Sequence, residues 1–254
     1  GSDDILSKVK KGATIIIALS GGPDSVYLLY LFKKLEKKHD LKLIAAHLNH
    51  GTRPTSKRDE LFCQNLCKKL KIPFKCKKMQ LKGVKNFEET ARKARYDFFA
   101  EIKKEHNADY ISTAHHLNDS IETVFLNLTR GSGLGGLTGI QSRQEFLRPL
   151  LSLTKAEILK YLKKNRIRYV IDPTNKKNNY GRNLIRNKVV PELKKINPNL
   201  EQTMSSHMTQ MKEIKDFLDN ASRHWLAKQA VPSPLPLQIN PTKFPIPPFT
   251  ELHS

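Results

Sequence analysis

The chain has 254 residues, 38% of them hydrophobic, which is enough for one α/β domain and a smaller appendage. The hydrophobic residues fall in runs much shorter than the roughly 20 residues that span a bilayer, so a membrane protein is excluded and a soluble, cytoplasmic one is expected. The 45 Lys and Arg residues against 24 acidic residues give a formal charge of +21, which favours polyanionic partners such as nucleic acid.

Strands and helices alternate four times along the first half of the chain. Short β-branched runs predict buried strands, and apolar residues at helical spacing predict the helices between them. Such an alternation is typical of an α/β, doubly wound, mainly parallel sheet, which binds ligands at the carboxyl ends of its strands. The predicted strands are 14–19, 41–47, 73–79 and 110–114, and the predicted helices are 24–38, 56–70, 86–106 and 118–130.

The rest of the chain reads as helical. Thr154 and Glu157 form a capping-box pattern at the start of a helix over 154–164, and further helices are predicted over 182–195, interrupted at Pro191, and over 199–228. Half of the 14 prolines lie between Pro232 and Pro248. We therefore expect a catalytic domain over residues 1–190 and a small helical C-terminal region with a Pro-rich tail over 191–254, whose completeness is left open.

The first strand is followed by Ser20-Gly21-Gly22-Pro23-Asp24-Ser25, here named the glycine loop. Its glycines, its two hydroxyls and the helix N-terminus behind it favour a bound anion. Asp24 suits such a place when Mg²⁺ bridges its carboxylate to a phosphate. The loop lacks the lysine of a Walker motif and the spacing of a dinucleotide-binding fingerprint.

The whole pattern, S-G-G-x-D-S after a strand, resembles the PP-loop of the ATP pyrophosphatase superfamily, whose members cleave ATP between its α- and β-phosphates. Further segments between about residues 12 and 195 resemble the tRNA(Ile)-lysidine synthetase family, in the same order. These segments are 47–53 (HLNHGTR), 89–96 (ETARKARY), 114–123 (AHHLNDSIET), 126–139, 148–151 (RPLL), 172–175 (DPTN) and 182–186 (RNLIR).

The resemblance implies a Rossmann-like PP-loop fold and a two-step reaction with ATP and Mg²⁺ as cofactors. The C2 oxygen of the wobble cytidine in tRNA(Ile) with a CAU anticodon is adenylated, and free L-lysine then displaces AMP to give lysidine. A homodimer is left open.

The same resemblance assigns roles to individual residues. Asp24 and Asp119 are implied to hold the metal, Asp119 and Glu122 to bind lysine, and Arg182 and Arg186 to contact tRNA. The implied catalytic residues are Asp24, Arg95, Asp119 and Glu122. The implied ATP-binding residues are Ser20, Gly21, Gly22, Asp24, Ser25, His47, Arg92 and His115.

One segment departs from the family pattern. Where the family reads D-D-Q, this chain has Asn118-Asp119-Ser120, so no carboxylate is available at position 118. This departure leaves open the alternative that the protein is a catalytically silent relative of the family that binds nucleic acid. A PP-loop tRNA thiolase is the other alternative, although such enzymes generally use C-x-x-C pairs, which are absent from the three cysteines of this sequence.

Overall fold

The computed structural model describes residues 9–49, 56–79, 87–143, 145–171 and 180–229. Within these residues, five strands form one sheet in the order β3-β2-β1-β4-β5, and every neighbouring pair is parallel. This confirms the predicted doubly wound α/β fold. The strands are β1 (Thr14–Ala18), β2 (Lys42–Asn49), β3 (Phe74–Lys78), β4 (Tyr110–Ser112) and β5 (Phe146–Leu147).

Most of the described helices lie within two residues of the predicted bounds. The Thr154–Glu157 capping box is present at the start of α6, where the Thr154 Oγ1 accepts from the Glu157 amide. The helices are α1 (Pro23–His39), α2 (Ser56–Leu70), α3 (Phe87–His106), α4 (Leu117–Thr129), α5 (Leu134–Leu137), α6 (Lys155–Lys164), α7 (Tyr180–Leu184), a π-helix (Ile185–Val189), α8 (Val190–Ile196) and α9 (Leu200–Gln229).

The sheet buries apolar side chains on both faces because successive residues of a strand point in opposite directions. In β1, Ile15 and Ile17 belong to a core that includes residues of α1, α2 and α6, whereas Ile16 packs in a second core with Phe99 and Ile102 of α3. All three isoleucines are fully buried. The carboxyl end of β1, where the glycine loop begins, is therefore rigidly supported from both sides.

A third apolar cluster joins the first part of α9 to α4. Met208 is buried against Leu117, Ile121 and Val124. The chain divides into two compact units, Gly1–Lys212 and Glu213–Ser254. The division into domains at residues 190 and 191 stays a prediction.

Candidate active site

The glycine loop connects β1 to α1, and its serines stabilise its shape. The Ser25 hydroxyl accepts from the Ser20 amide at 3.1 Å and donates to the Gly22 carbonyl at 3.0 Å. Gly21 has φ +86°, and a Cβ there would lie 3.1 Å from the Cys63 Sγ, so glycine is required at this position. The loop is thus preformed at the carboxyl end of the central strand.

Asp24 and Asp119, the predicted metal ligands, both lie close to one nitrogen of the His116 imidazole. The His116 Nε2 is 3.8 Å from the Asp24 Oδ1 and 3.5 Å from the Asp119 Oδ2. The His116 amide also donates to the Asp119 Oδ2 at 3.0 Å, which fixes that carboxylate at the start of α4. The structure therefore brings together two acids that are 95 positions apart in the sequence.

The Asp24 carboxylate is also paired with a cation that sequence reasoning missed. The Lys155 Nζ lies 2.6 Å and 2.8 Å from the two Asp24 oxygens. Asn118 fixes the base of this side chain, because its Oδ1 accepts from the Lys155 amide at 2.9 Å and its Nδ2 lies 3.4 Å from the Glu201 Oε1. Asn118 thus joins α4 to α6 and α9, and an acid in its place would face Glu201.

Glu122, one helical turn from Asp119, is held by the two arginines predicted to contact tRNA. Its side chain is 3% exposed. It accepts hydrogen bonds from the Arg186 Nε and Nη2 at 2.6 Å and 2.9 Å, and the Arg182 Nε is 3.4 Å away. The Arg186 Nη2 is also 3.6 Å from the Asp119 Oδ1. The predicted lysine-binding and tRNA-binding residues therefore form one charged cluster.

Arg92, Arg95 and Arg148 add positive charge at the same edge of the sheet. Burial lowers the pKa of Arg148, whereas Arg92 and Arg95 are exposed at the surface. The Arg92 guanidinium lies over the Tyr96 ring, 5.8 Å from its centroid. Three cations in this region favour an anionic ligand.

His115 lies among these arginines and is uncharged at neutral pH. Burial lowers its pKa to about 4, with Arg148, Arg182 and Arg95 lowering it further and Asp119 opposing them. Its Nδ1 is 3.0 Å from the Thr113 Oγ1. His115 therefore offers a hydrogen bond, and not a charge, to a ligand at this place.

The depressed pKa of His115 predicts how stability changes with pH. Unfolded histidine titrates near pH ~6.5, so the unfolded chain takes up a proton before the folded one as the pH falls. The free energy of unfolding is therefore unaffected by His115 above pH ~6.5. Between pH ~6.5 and pH ~4 it falls as the pH falls, by at most ~1.4 kcal/mol per pH unit. Urea unfolding of His115→Asn is expected to show a shallower loss over this range. Identical pH profiles for the variant and the wild type would contradict the assignment.

His47 lies behind the glycine loop and is buried. Its Nδ1 is 2.8 Å from the Leu19 carbonyl, its ring stacks on Phe74 at 6.2 Å, and burial lowers its pKa. In this structure His47 therefore supports the start of the loop, and its role in binding ATP stays a prediction. The other parts of the predicted motifs at residues 50–53 and 172–175 lie outside the described residues.

A comparison with known protein families assigns the chain to one of them. The model of the PP-loop domain matches residues 3–193, which include every site residue named above except Glu201. This chain belongs to the PP-loop domain family. The match includes the glycine loop at the carboxyl end of β1 and the start of α1.

The relatives of this PP-loop protein include several tRNA(Ile)-lysidine synthases. That of Thermotoga maritima is 35% identical over 87% of this chain and 55% of its own length. Those of Chlorobaculum tepidum and Geobacillus kaustophilus are 40% and 32% identical, covering 82% and 96% of this chain and 66% and 54% of theirs. The chain thus spans about half to two thirds of the length of these relatives.

Among solved structures, the U34-tRNA thiolase NcsA from Methanococcus maripaludis, determined with its [4Fe-4S] cluster, shares the fold. Its TM-score is 0.68 at 18% sequence identity, covering 84% of this chain and 77% of that one. At this identity the likeness extends to the fold alone.

Proposed function

We propose that this PP-loop protein ligates lysine to C2 of the wobble cytidine of tRNA(Ile) with a CAU anticodon, using ATP and forming an adenylated cytidine. The observation that carries the proposal is that the His116 imidazole lies close both to Asp24, in the glycine loop, and to Asp119, one helical turn from Glu122. A site for a nucleotide phosphate thereby adjoins a site for an amine. The similarity to tRNA(Ile)-lysidine synthases supports this choice of substrates.

In the first step the glycine loop and α1 bind the ATP phosphates. The first-turn amides of a helix have no carbonyl partners within the helix and face an anion at its N-terminus. Arg92, Arg95 and His115 border the nucleotide, and the two arginines balance the charge that develops during adenylation.

Mg²⁺ fits the residues at Asp24 and Asp119. The described residues contain no group of three or more acidic, His or Cys side chains placed to hold a metal, but Mg²⁺ in phosphate-transfer sites commonly uses one or two carboxylates plus the phosphates themselves. Asp24 already accepts a cation in this structure, the Lys155 ammonium. When bound, Mg²⁺ would screen the phosphate charge, with Asp24 and Asp119 holding it.

In the second step Asp119 and Glu122 receive the lysine. Both carboxylates contact Arg186 in the structure, so lysine and Arg186 compete for the same negative charge. A tRNA phosphate near Arg182 and Arg186 would give these guanidiniums another partner. Binding of tRNA then favours binding of lysine, and the freed carboxylates can accept a proton from the attacking amine.

The remaining parts of the proposal concern partners and location. The +21 charge suits a tRNA partner, and a homodimer and a cytoplasmic location stay predictions. Among the described residues, no helix is both long enough and apolar enough to cross a membrane.

The thiolase alternative is disfavoured by the state of the cysteines. Sulfur transfer requires a thiolate or a persulfide, but burial raises the pKa of Cys67 to about 12. Cys63 and Cys67 are buried, and the exposed Cys76 has no second cysteine at C-x-x-C spacing. The silent alternative rested on Asn118, whose amide joins three helices in this structure and therefore does not by itself indicate a decayed site.

The direct test is lysine transfer. Protein, ATP, Mg²⁺ and labelled lysine are incubated with an unmodified tRNA(Ile) transcript bearing CAU, and with a matched transcript bearing U at the wobble position. Label is expected in the CAU transcript alone. Pyrophosphate release with tRNA but without lysine incorporation would favour thiolation or another base-adenylating reaction, and absence of both would favour the silent alternative.

A further inference from the structure

Lys155 is a basic residue facing the glycine loop from another part of the fold. It is the first residue of α6, and its Nζ contacts both oxygens of Asp24 although the two residues are 131 positions apart. The side chains of Lys155 and Asp24 are 35% and 27% exposed. The pair is therefore reachable by a ligand from solvent.

The backbone of Lys155 is fixed, while its side chain is long and flexible. The Asn118 Oδ1 accepts from the Lys155 amide, and the Thr154–Glu157 capping box holds the same turn. The four-carbon stem lets the ammonium change partners over a few ångströms without movement of α6. Asn118 and the capping box thus fix the backbone from which this cation extends.

We propose that Lys155 binds the ATP phosphates that leave as pyrophosphate, with Asn118 as its positioning residue. This role depends on the proposed function, in which the glycine loop binds ATP. Asp24 lies in the first turn of α1, at the end of the helix that favours an anion. When Asp24 binds Mg²⁺, its carboxylate no longer neutralises the Lys155 ammonium. Phosphate oxygens bound at the glycine loop are then the negatively charged groups within reach of this side chain, which already contacts Asp24.

Binding of a triphosphate and of a monophosphate separates this role from a structural one. Isothermal titration calorimetry is made with Mg²⁺ and α,β-methylene-ATP, which avoids turnover, and separately with AMP. Lys155→Met is expected to weaken binding of the ATP analogue about tenfold or more, the usual effect of removing one charged hydrogen bond, and to leave AMP binding unchanged. Lys155→Arg is expected to restore most of the affinity, because it keeps the charge.

Lys163→Met is the matched control, since Lys163 is an exposed lysine of the same helix, and it is expected to bind both ligands as the wild type does. Unchanged affinity of Lys155→Met for the ATP analogue would overturn the proposal, as would equal losses for the ATP analogue and AMP. Failure of the wild-type protein to bind the ATP analogue would overturn the proposed function together with this role.

Discussion

Replacing Glu122 with Gln is expected to lower both the stability of the protein and its affinity for lysine. The substitution keeps the size of the side chain but removes the negative charge between Arg182 and Arg186. Breaking a buried ion pair by removing one partner costs about 3–5 kcal/mol. Arg182 and Arg186 are 31% and 45% exposed, so we expect a smaller loss of about 2 kcal/mol, measured by urea unfolding.

Glu101→Gln is the control for this stability measurement. Glu101 is an exposed carboxylate that pairs with Lys77, and exposed pairs contribute at most about 1 kcal/mol. A Glu122→Gln protein no less stable than Glu101→Gln would contradict the buried cluster seen here.

The same Glu122→Gln protein is expected to show at least about a tenfold rise in KM for lysine, because one charged hydrogen bond to the substrate is removed. Its release of pyrophosphate with ATP and tRNA should be nearly retained.

Arg186→Gln is expected to have the opposite effect on lysine. In the absence of tRNA, this variant should bind lysine more tightly than the wild type does, and it should bind tRNA more weakly. If neither variant alters lysine binding, Glu122 serves only to hold the arginines.

The alternation of strands and helices could be predicted because each element carries its own hydrophobic period. β5 is only two residues long and α5 only four, too short to show a period, and both were missed. The helix predicted over 182–195 is interrupted by the π-helix Ile185–Val189, just before Pro191. A π-turn carries a local change of helical register, which no spacing in the sequence indicates.

The motifs predicted which acidic side chains lie close together, but not which basic side chains form ion pairs with them. Parallel strands bring their carboxyl ends to one edge, so Asp24 and Asp119 were expected to be neighbours. Lys155 is one of 45 basic residues, and only the tertiary structure distinguishes it by placing it on Asp24. No role was predicted for His116, yet its ring lies close to both carboxylates.

Replacing Asp24 with Asn is expected to lower Mg²⁺-dependent release of pyrophosphate by about 10²- to 10³-fold, the usual effect of removing one group that stabilises developing charge. Release is measured with saturating ATP and the CAU transcript. Asp219→Asn is the control, because Asp219 is exposed on α9 and pairs with Lys215 one helical turn away. If the rate of pyrophosphate release by Asp24→Asn is within about threefold of this control, Asp24 has no catalytic role in adenylation.

The dependence on Mg²⁺ separates the two roles that Asp24 has in this arrangement. Without its carboxylate, the Lys155 ammonium keeps its charge but has no acidic partner at position 24 in the ligand-free protein. Asp24→Asn should therefore bind ATP without Mg²⁺ at least as tightly as the wild type does, because no carboxylate then repels the phosphates or competes for the lysine. Added Mg²⁺ should improve that affinity less than in the wild type. An equal loss of ATP affinity with and without Mg²⁺ would instead mean that Asp24 maintains the shape of the glycine loop, since a metal ligand matters only when the metal is present.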